Sequence, residues 1–356
     1  MKYYSLKKIL SYGARYNVIF GERSNGKTFA VYEKALTDYV KTGAQFGLIR
    51  RWQDDYTGKR GVSMFNGIVE KGLVKKLTGG EWTDIYYRSS CWYLCRYENG
   101  ARITCEDVFC YGFAITAQEH DKSTSYPRIK NVLFDEFITR SVYAPDEFVL
   151  FTNVLSTIIR ERTDVTIFMC GNTVNRYCPY FAEMGLKHAM NMEQGTIDLY
   201  RYGNTELTVA VEYTATNKQG KPSDVYFAFD NPKLKMITEG VWEIDIYPHC
   251  PAKYRPCDVI FIYFIIFGGD TLQCNVIQTP DGYFTFIHRK TTPIKNENDL
   301  IFDNGVYSIK PNVRRNIMRP QDKCGQKIAD LFRQERIFYA DNEIGEIVNN
   351  YLKCCK

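Results

Sequence analysis

The residues with the clearest chemical meaning lie near the amino end, in the segment Gly21-Glu-Arg-Ser-Asn-Gly26-Lys27-Thr28. This segment matches the pattern G-x-x-x-x-G-K-[ST], in which glycines let successive backbone N–H groups turn toward phosphate oxygens. An apolar run at residues 16–20 precedes it and a helical pattern at residues 27–41 follows it. The helix N-terminus favours anions. We therefore predict a phosphate-binding loop, whose nucleotide-binding residues are Gly21, Arg23, Ser24, Asn25, Gly26, Lys27 and Thr28.

Two side chains of this loop carry specific chemistry. Lys27 would place a cation at the β- and γ-phosphates of a nucleotide, and Thr28 would offer its hydroxyl to Mg²⁺. The alternative is a glycine-rich turn with an incidental lysine, but the strand-loop-helix context argues against it. ATP and Mg²⁺ are accordingly the expected ligands.

A second chemical element is the run Val132-Leu-Phe-Asp135-Glu136, an apolar strand that ends in two carboxylates. Asp135 would bind the water shell of Mg²⁺, as the strand-end aspartate of P-loop enzymes does. Glu136 would polarise the attacking water as a general base. In isolation the pair could equally be a solvated turn, because aspartate is common in turns. Together with the loop, it favours a P-loop ATPase that has a catalytic glutamate.

The strands and helices predicted around these residues indicate an α/β domain. Buried strands are predicted at residues 16–20, 45–52, 131–135 and 164–171, and helices at residues 27–41 and 144–162. In residues 80–118, apolar and polar residues alternate with period two, and the segment contains the turn-forming Glu98-Asn99-Gly100. This pattern predicts an antiparallel meander that extends the sheet. The resulting fold class is a mainly parallel P-loop ATPase sheet of the ASCE or RecA-like type with an antiparallel extension.

Three segments are predicted along the 356 residues: an ATPase domain at 1–190, a polar linker or connecting subdomain at 191–225, and an α+β domain at 226–356. In the last, strands are expected at 225–229, 241–246, 259–267, 274–279 and 283–289, followed by helices at 327–338 and 342–352. The apolar run at 259–267 is too short to cross a membrane, so we interpret it as a buried strand.

The bulk composition excludes several other classes. The formal net charge of +5 is too mild to declare a nucleic-acid binder by itself. The twelve cysteines are scattered, and the segment MKYYSLKKIL lacks the apolar core of a signal peptide, so we expect reduced thiols. The pairs Cys91 with Cys95 and Cys250 with Cys257 lack the spacing of a zinc site.

Beyond these patterns, the sequence resembles the DNA-encapsidation ATPases of small tailed phages of the phi29 type. The resemblance covers roughly the first 185 residues, and the segments that carry it, in order, are NVIFGERSNGKT, QFGLIRRW with Arg50 and Arg51, KSTSYP, NVLFDEF and IIRERTDVTIFMCGNTVNRYCPYF. Beyond about residue 225 no motif is shared. There, the resemblance implies a degenerate RNase H-like fold that holds nucleic acid.

The resemblance also implies an assembly and further site residues. Members of that family form rings, usually pentamers, at the portal of an empty capsid in the host cytoplasm, and move double-stranded DNA. Arg160 matches their trans-acting arginine, with Arg162 as a rival, and Lys122 matches a second basic contact to the neighbour's phosphates. Asn172 matches a residue that senses the γ-phosphate. Each of these residues could instead have a purely structural role, such as an arginine at a helix C-terminus or an asparagine that ends a strand.

No nuclease activity is expected, because the predicted strand at 259–267 carries no acid, and Asp270 and Asp281 lie at turns. Basic residues at the edges of this domain could contact DNA phosphates or a structural RNA; they are Arg289, Lys290, Lys310, Arg314, Arg315 and Arg319. Two alternatives stay open for the whole chain. One is a helicase or translocase that acts on non-viral DNA, and the other is a nucleotide-gated binding module that hydrolyses little.

Overall fold

A computed structural model describes residues 4–120, 124–215, 241–242, 245–250, 253–280, 282–305 and 310–355. The chain divides into two compact units. The first comprises residues 1–140 and 144–243, and the second comprises residues 141–143 and 244–356. Among the described residues, no helix is both long and apolar enough to span a bilayer.

The first unit is built on one large sheet with helices. Its strands are β1 (Tyr16–Gly21), β2 (Gln45–Arg50), β3 (Asp84–Arg88), β4 (Cys91–Glu98), β5 (Ala101–Ala114), β6 (Ile129–Asp135), β7 (Thr166–Asn172), β8 (Ile197–Arg201) and β9 (Thr208–Tyr213). Its α-helices are α1 (Lys7–Leu10), α2 (Lys27–Thr42), α3 (Gly58–Ser63), α4 (Asn66–Glu70), α5 (Leu73–Leu77), α6 (Glu147–Ile159) and α7 (Pro179–Glu183).

The nine strands follow the order β3-β4-β5-β2-β6-β7-β1-β9-β8. Strands β2, β6, β7 and β1 pair in parallel and are almost wholly buried, as expected for parallel strands covered on both faces. The four strands and two helices predicted for this core are confirmed, with ends shifted by a few residues. The α/β class of the domain is therefore correct.

The predicted meander is also confirmed, as strands β3, β4 and β5. Strand β5 is longer than its pairing with β4 requires, and its carboxyl end, from Cys110 to Ala114, pairs in parallel with β2. One strand thus joins the antiparallel extension to the parallel core.

The segment predicted as a linker is different in the structure. Strand β9 pairs in parallel with β1, from Tyr16 opposite Val209 to Phe20 opposite Tyr213, and β8 closes that edge of the sheet. The burial of Val209, Ala210 and Val211 drives this pairing. The turn residues that suggested a linker include those of the loop between β8 and β9. Residues 216–225 of the predicted linker lie outside the described residues.

The second unit has a six-stranded sheet in the order β14-β13-β10-β11-β12-β15. Its elements are β10 (Val259–Phe267), β11 (Asp270–Thr279), β12 (Gly282–Arg289), β13 (Leu300–Asp303), β14 (Val313–Arg314), α8 (Lys323–Arg333), β15 (Ile337–Tyr339) and α9 (Asn342–Lys353). The predicted helix at 327–338 ends at Arg333 because Glu335 takes a positive φ of 56°, and the chain then enters β15.

Two further expectations for this unit need correction. Strand β10 is buried only in its carboxyl half, since β13 pairs with it from Tyr263 to Ile266, while residues 260–262 stay exposed. The described residues of the predicted strand at 241–246 form no strand. The predicted strand at 225–229 lies outside the described residues.

Candidate functional site

The carboxyl ends of β6 and β7 and the loop between β1 and α2 surround one cavity of about 340 Å³. This is the edge where ligands bind in open α/β sheets. The residues that line the cavity are Ser24, Asn25, Gly26, Lys27, Thr28, Phe29, Lys71, Asp135, Glu136, Cys170, Gly171 and Asn172. The structure thus brings the predicted loop, the acid pair and Asn172 together.

The loop needs glycine at two of its positions. Gly21 has φ 145°, and a Cβ added there would lie 2.2 Å from Oγ1 of Thr214. Gly26 has φ 94° and is the N-cap of α2. Because side chains are disfavoured in this region of φ, the glycines let the backbone wrap before the helix begins. The curved loop and the first turn of α2 form the kind of cradle that binds phosphate.

Lys27 is buried beneath this loop, and its ammonium donates hydrogen bonds to three neutral oxygens. Its Nζ lies 2.6 Å from the carbonyl oxygen of Glu22, 3.1 Å from Oδ1 of Asn25 and 3.3 Å from Oδ1 of Asn172. Burial lowers the pKa of Lys27 to about 8. A buried cation held by neutral groups fits a polyphosphate, whose charge would offset the desolvation cost.

The first turn of α2 is bonded to the end of β6. Oγ1 of Thr28 donates a hydrogen bond of 2.8 Å to Oδ1 of Asp135. Burial raises the pKa of Asp135, whereas the nearby Arg50 and the bond from Thr28 lower it. A hydroxyl and a carboxylate beside a phosphate loop are the protein ligands that a nucleotide-bound Mg²⁺ takes, so these residues fit that ion.

In the described part of the chain, no three His, Cys, Asp or Glu side chains converge as they would around a metal ion such as zinc. Magnesium needs no such cluster, since it is usually bound by one or two carboxylates together with substrate phosphates and water.

Glu136 lies one residue beyond β6 and has a positive φ of 60°. Its side chain is 65% exposed, and Oε2 accepts a charge-assisted contact of 2.9 Å from Nη1 of Arg50. The same Nη1 lies 3.6 Å from Oδ2 of Asp135. Burial alone would lower the pKa of Arg50, but Asp135 and Glu136 outweigh it and raise that pKa. Arg50 therefore bridges the two carboxylates.

The two candidate trans-acting arginines differ in their surroundings. Arg162 donates hydrogen bonds to four backbone carbonyls of its own chain, those of Tyr126, Pro127, Ile129 and Ile158. Arg160 is exposed at the C-cap of α6, has φ 53°, and donates to the carbonyl of Thr124. It does not line the cavity.

Gly21 and Arg23, both predicted as nucleotide-binding residues, are not among the residues that line the cavity. Arg23 is exposed on the loop. Lys122 lies outside the described residues.

Several residues of the site were missed from the sequence. Thr214 follows β9, and its Oγ1 accepts a 2.9 Å bond from Nδ2 of Asn25. Lys71 follows α4, lines the cavity, and its Nζ lies 4.0 Å from the centre of the Phe29 ring. Neither belongs to a motif. Arg50 was singled out only as one of the two arginines of QFGLIRRW, and no role was assigned to it.

The glycine-containing loop, the buried lysine and the acid pair at the end of β6, one strand away from the loop strand β1, define an α/β fold of the P-loop class. The chain belongs to the podovirus DNA encapsidation protein (Gp16) family, since the model of that family matches residues 99–293. This is more than half of the 356 residues.

Individual relatives support this assignment over nearly the whole chain. The DNA packaging protein of Bacillus phage phi29 is 22% identical over 356 aligned residues, which cover 94% of this chain and 98% of the relative. The DNA packaging protein of Bacillus phage B103 is 24% identical over 285 residues, covering 77% of this chain and 80% of the relative.

Two solved structures share the fold. The Phi-28 gp11 DNA packaging motor aligns with a TM-score of 0.57 at 19% identity, over 99% of this chain and 98% of that one. The bacteriophage Phi-29 viral genome packaging motor assembly gives the same TM-score of 0.57 at 17% identity, over 99% of each chain.

Proposed function

We propose that this chain is the ATPase subunit of a ring-shaped motor that moves double-stranded DNA into a viral procapsid. Family membership supports the packaging role. The observation that carries the ATPase role is the bond between Thr28 and Asp135, because it joins the phosphate loop to the acidic strand end. The order β6-β7-β1, with one strand between the acidic strand and the loop strand, supports the predicted ASCE class.

Hydrolysis would use the cavity residues as follows. Backbone N–H groups of the loop and the ammonium of Lys27 would bind the phosphate oxygens, while Thr28 and Asp135 would hold Mg²⁺. Bound there, magnesium would neutralise charge that develops on the β- and γ-phosphates. The carboxylate of Glu136 accepts a proton from water as the new P–O bond forms and the bond to ADP breaks. To do so, Glu136 has to give up or share its contact with Arg50.

A neighbouring subunit would complete the site. An arginine that approaches from outside can stabilise charge on the γ-phosphoryl oxygens in the transition state. Arg160 suits this role better than Arg162, because the four carbonyl contacts of Arg162 hold it within its own chain. Lys122 is proposed as a second contact to the neighbour, and Asn172, which accepts from Lys27, as the γ-phosphate sensor.

We propose the second unit as a degenerate RNase H-like domain that contacts nucleic acid or the portal. Three consecutive antiparallel strands, β10 to β12, with the parallel strands β13 and β14 beside β10, support the fold. Nuclease activity is not expected, because β10 carries no acid and Asp270 is ion-paired with Arg289. Asp281 lies outside the described residues. Arg314 is likewise paired with Asp322. Phosphates of DNA or of a structural RNA would therefore have to share Arg289 and Arg314 with these carboxylates.

The proposed place of action is the portal vertex of the procapsid in the host cytoplasm, and the test uses that assembly. Purified protein is mixed with empty procapsids, DNA and ATP, and nuclease-protected DNA is measured. We expect protection that requires both ATP and procapsids. ATP hydrolysis with DNA unwinding or movement in the absence of procapsids, and no protection in their presence, would instead favour a helicase or translocase of non-viral DNA.

A further inference from the structure

The backbone at Glu136 is held by an arginine that the reaction scheme does not use. Nη1 of Arg51 donates to the carbonyl oxygen of Glu136 at 3.2 Å, and Nη2 donates to that of Phe137 at 2.9 Å. Arg51 is only 6% exposed. The anchored segment includes the left-handed φ of Glu136, a conformation that a non-glycine residue keeps only when its surroundings enforce it.

Arg51 is in turn fixed by a buried carboxylate. Its Nε and Nη2 contact the two oxygens of Glu147 at 2.8 and 2.9 Å, which is a two-point pairing of guanidinium and carboxylate. Glu147 also accepts a 2.8 Å bond from the hydroxyl of Tyr180 and a 2.7 Å bond from the backbone N–H of Ala144. Each oxygen of the carboxylate therefore has two donors, which determines its orientation.

This network is poorly explained as a stabilising device. Desolvating two charges offsets most of their attraction, and apolar residues of similar volume often replace a buried ion pair without loss of stability. The pairing does fix an orientation, because a planar guanidinium bound at two points by a carboxylate can direct its remaining N–H groups only one way. In this orientation they donate to the carbonyl oxygens of Glu136 and Phe137.

We infer that Arg51 and Glu147 are positioning residues for ATP hydrolysis, which fix the backbone of Glu136 so that its carboxylate faces the attacked phosphate. The inference rests on the proposed ATPase function. The two adjacent arginines then have different roles: Arg50 contacts the carboxylate of Glu136, whereas Arg51 donates to its backbone carbonyl. Arg51 does not line the cavity, so its loss would affect the chemical step and not nucleotide binding.

The test is a variant that removes both charges together, Arg51→Met with Glu147→Leu. Apolar side chains of similar size should preserve folding. We expect a folded protein with a lower melting temperature, because the carbonyls of Glu136 and Phe137 lose their donor. The ATP dissociation constant should stay within about threefold of the parent, and the single-turnover hydrolysis rate should be about 100-fold lower, the scale of a small misplacement of a catalytic group. The matched control is Arg128→Gln with Asp107→Asn, which removes another two-point pair on the surface and should leave the rate unchanged.

A milder variant keeps the inference testable if the double variant does not fold. Tyr180→Phe removes one donor from Glu147 and leaves the ion pair in place, so hydrolysis should fall about three- to tenfold while the KM for ATP stays constant. Parental hydrolysis in the folded double variant, or in Tyr180→Phe when the double variant does not fold, overturns the positioning role and leaves the proposed function standing. Absence of hydrolysis by the parent itself would overturn the proposed function.

Discussion

The hydroxyl of Thr28 and the carboxylate of Asp135 are joined by a 2.8 Å hydrogen bond, although 107 positions separate them in the chain. The bond links the first turn of α2 to the last residue of β6. Both side chains line the same cavity. The phosphate loop and the acidic strand end thus form one site.

Removing the hydroxyl should weaken magnesium binding specifically. In Thr28→Ala, one of the two proposed protein ligands is lost, so we expect the Mg²⁺ concentration for half-maximal ATPase activity to rise about tenfold. A Mg²⁺ titration at fixed ATP measures this. Thr37→Ala is the control, because the hydroxyl of Thr37 donates only to a helix carbonyl of the same α2. Equal Mg²⁺ requirements in the two variants would contradict the assignment.

The buried lysine predicts how nucleotide affinity depends on pH. Since the pKa of Lys27 in the free protein is lowered to about 8, the ammonium is charged below that pH and loses its proton above it. Phosphates favour the charged form, so binding above about pH 8 must take up a proton. Affinity for ATP should therefore fall by up to about tenfold per pH unit between about pH 8 and 9.5.

Equilibrium binding of a fluorescent ATP analogue across that range measures the effect. Lys27→Arg is the control, because arginine stays charged throughout, so its binding should not weaken in the same way. A parent affinity that is independent of pH over this range would contradict a phosphate-binding Lys27 whose pKa is lowered to about 8.

Lys71 lines the cavity and should contribute charge to nucleotide binding. Its ammonium lies against the Phe29 ring beside the cavity, so Lys71→Ala should raise the KM for ATP about three- to fivefold, the scale of one partly exposed charge. Steady-state kinetics at several ATP concentrations test this. Lys75→Ala removes an exposed lysine of nearby α5 and should leave the KM unchanged. Identical KM values in the two variants would contradict a role for Lys71.

The trans role of Arg160 can be tested by mixing subunits. Arg160→Ala lacks the donated arginine and Glu136→Gln lacks the base, so each should be nearly inactive alone, while mixed rings should regain activity at interfaces that combine the intact parts. Phosphate release by the two separate proteins and by mixtures measures this. No recovery in mixed rings would argue against an arginine that acts between subunits.

Arg162→Ala provides the contrast. Removing its side chain takes one donor from each of four carbonyls, so we expect a lower melting temperature and no rescue by mixing.

The core of the fold and the loop could be predicted because local signals decide them. The strand at residues 16–20, the glycine pattern at 21–28 and the apolar run before Asp135 each specify their structure with little help from distant residues. Strands β8 and β9 were missed, because the pairing of β9 with β1 is a tertiary event, while the polar residues around its turn suggested a linker.

The supporting residues of the site could not be predicted for a similar reason. Thr214 and Glu147 acquire their roles only through contacts with Asn25 and Arg51, far away in sequence. Nothing in the composition of their own segments marks them. The conformation of Glu136 was likewise invisible, since its positive φ follows from the packing around it and not from its residue type.

The most direct test of the central claim is single-turnover ATP hydrolysis by the Glu136→Gln variant, with ATP binding measured on the same protein. The amide keeps the size of the side chain but cannot accept the proton of water. We expect binding within about threefold of the parent and hydrolysis slower by about 100-fold or more. Hydrolysis at the parental rate would show that the acid pair at the end of β6 does not catalyse the reaction.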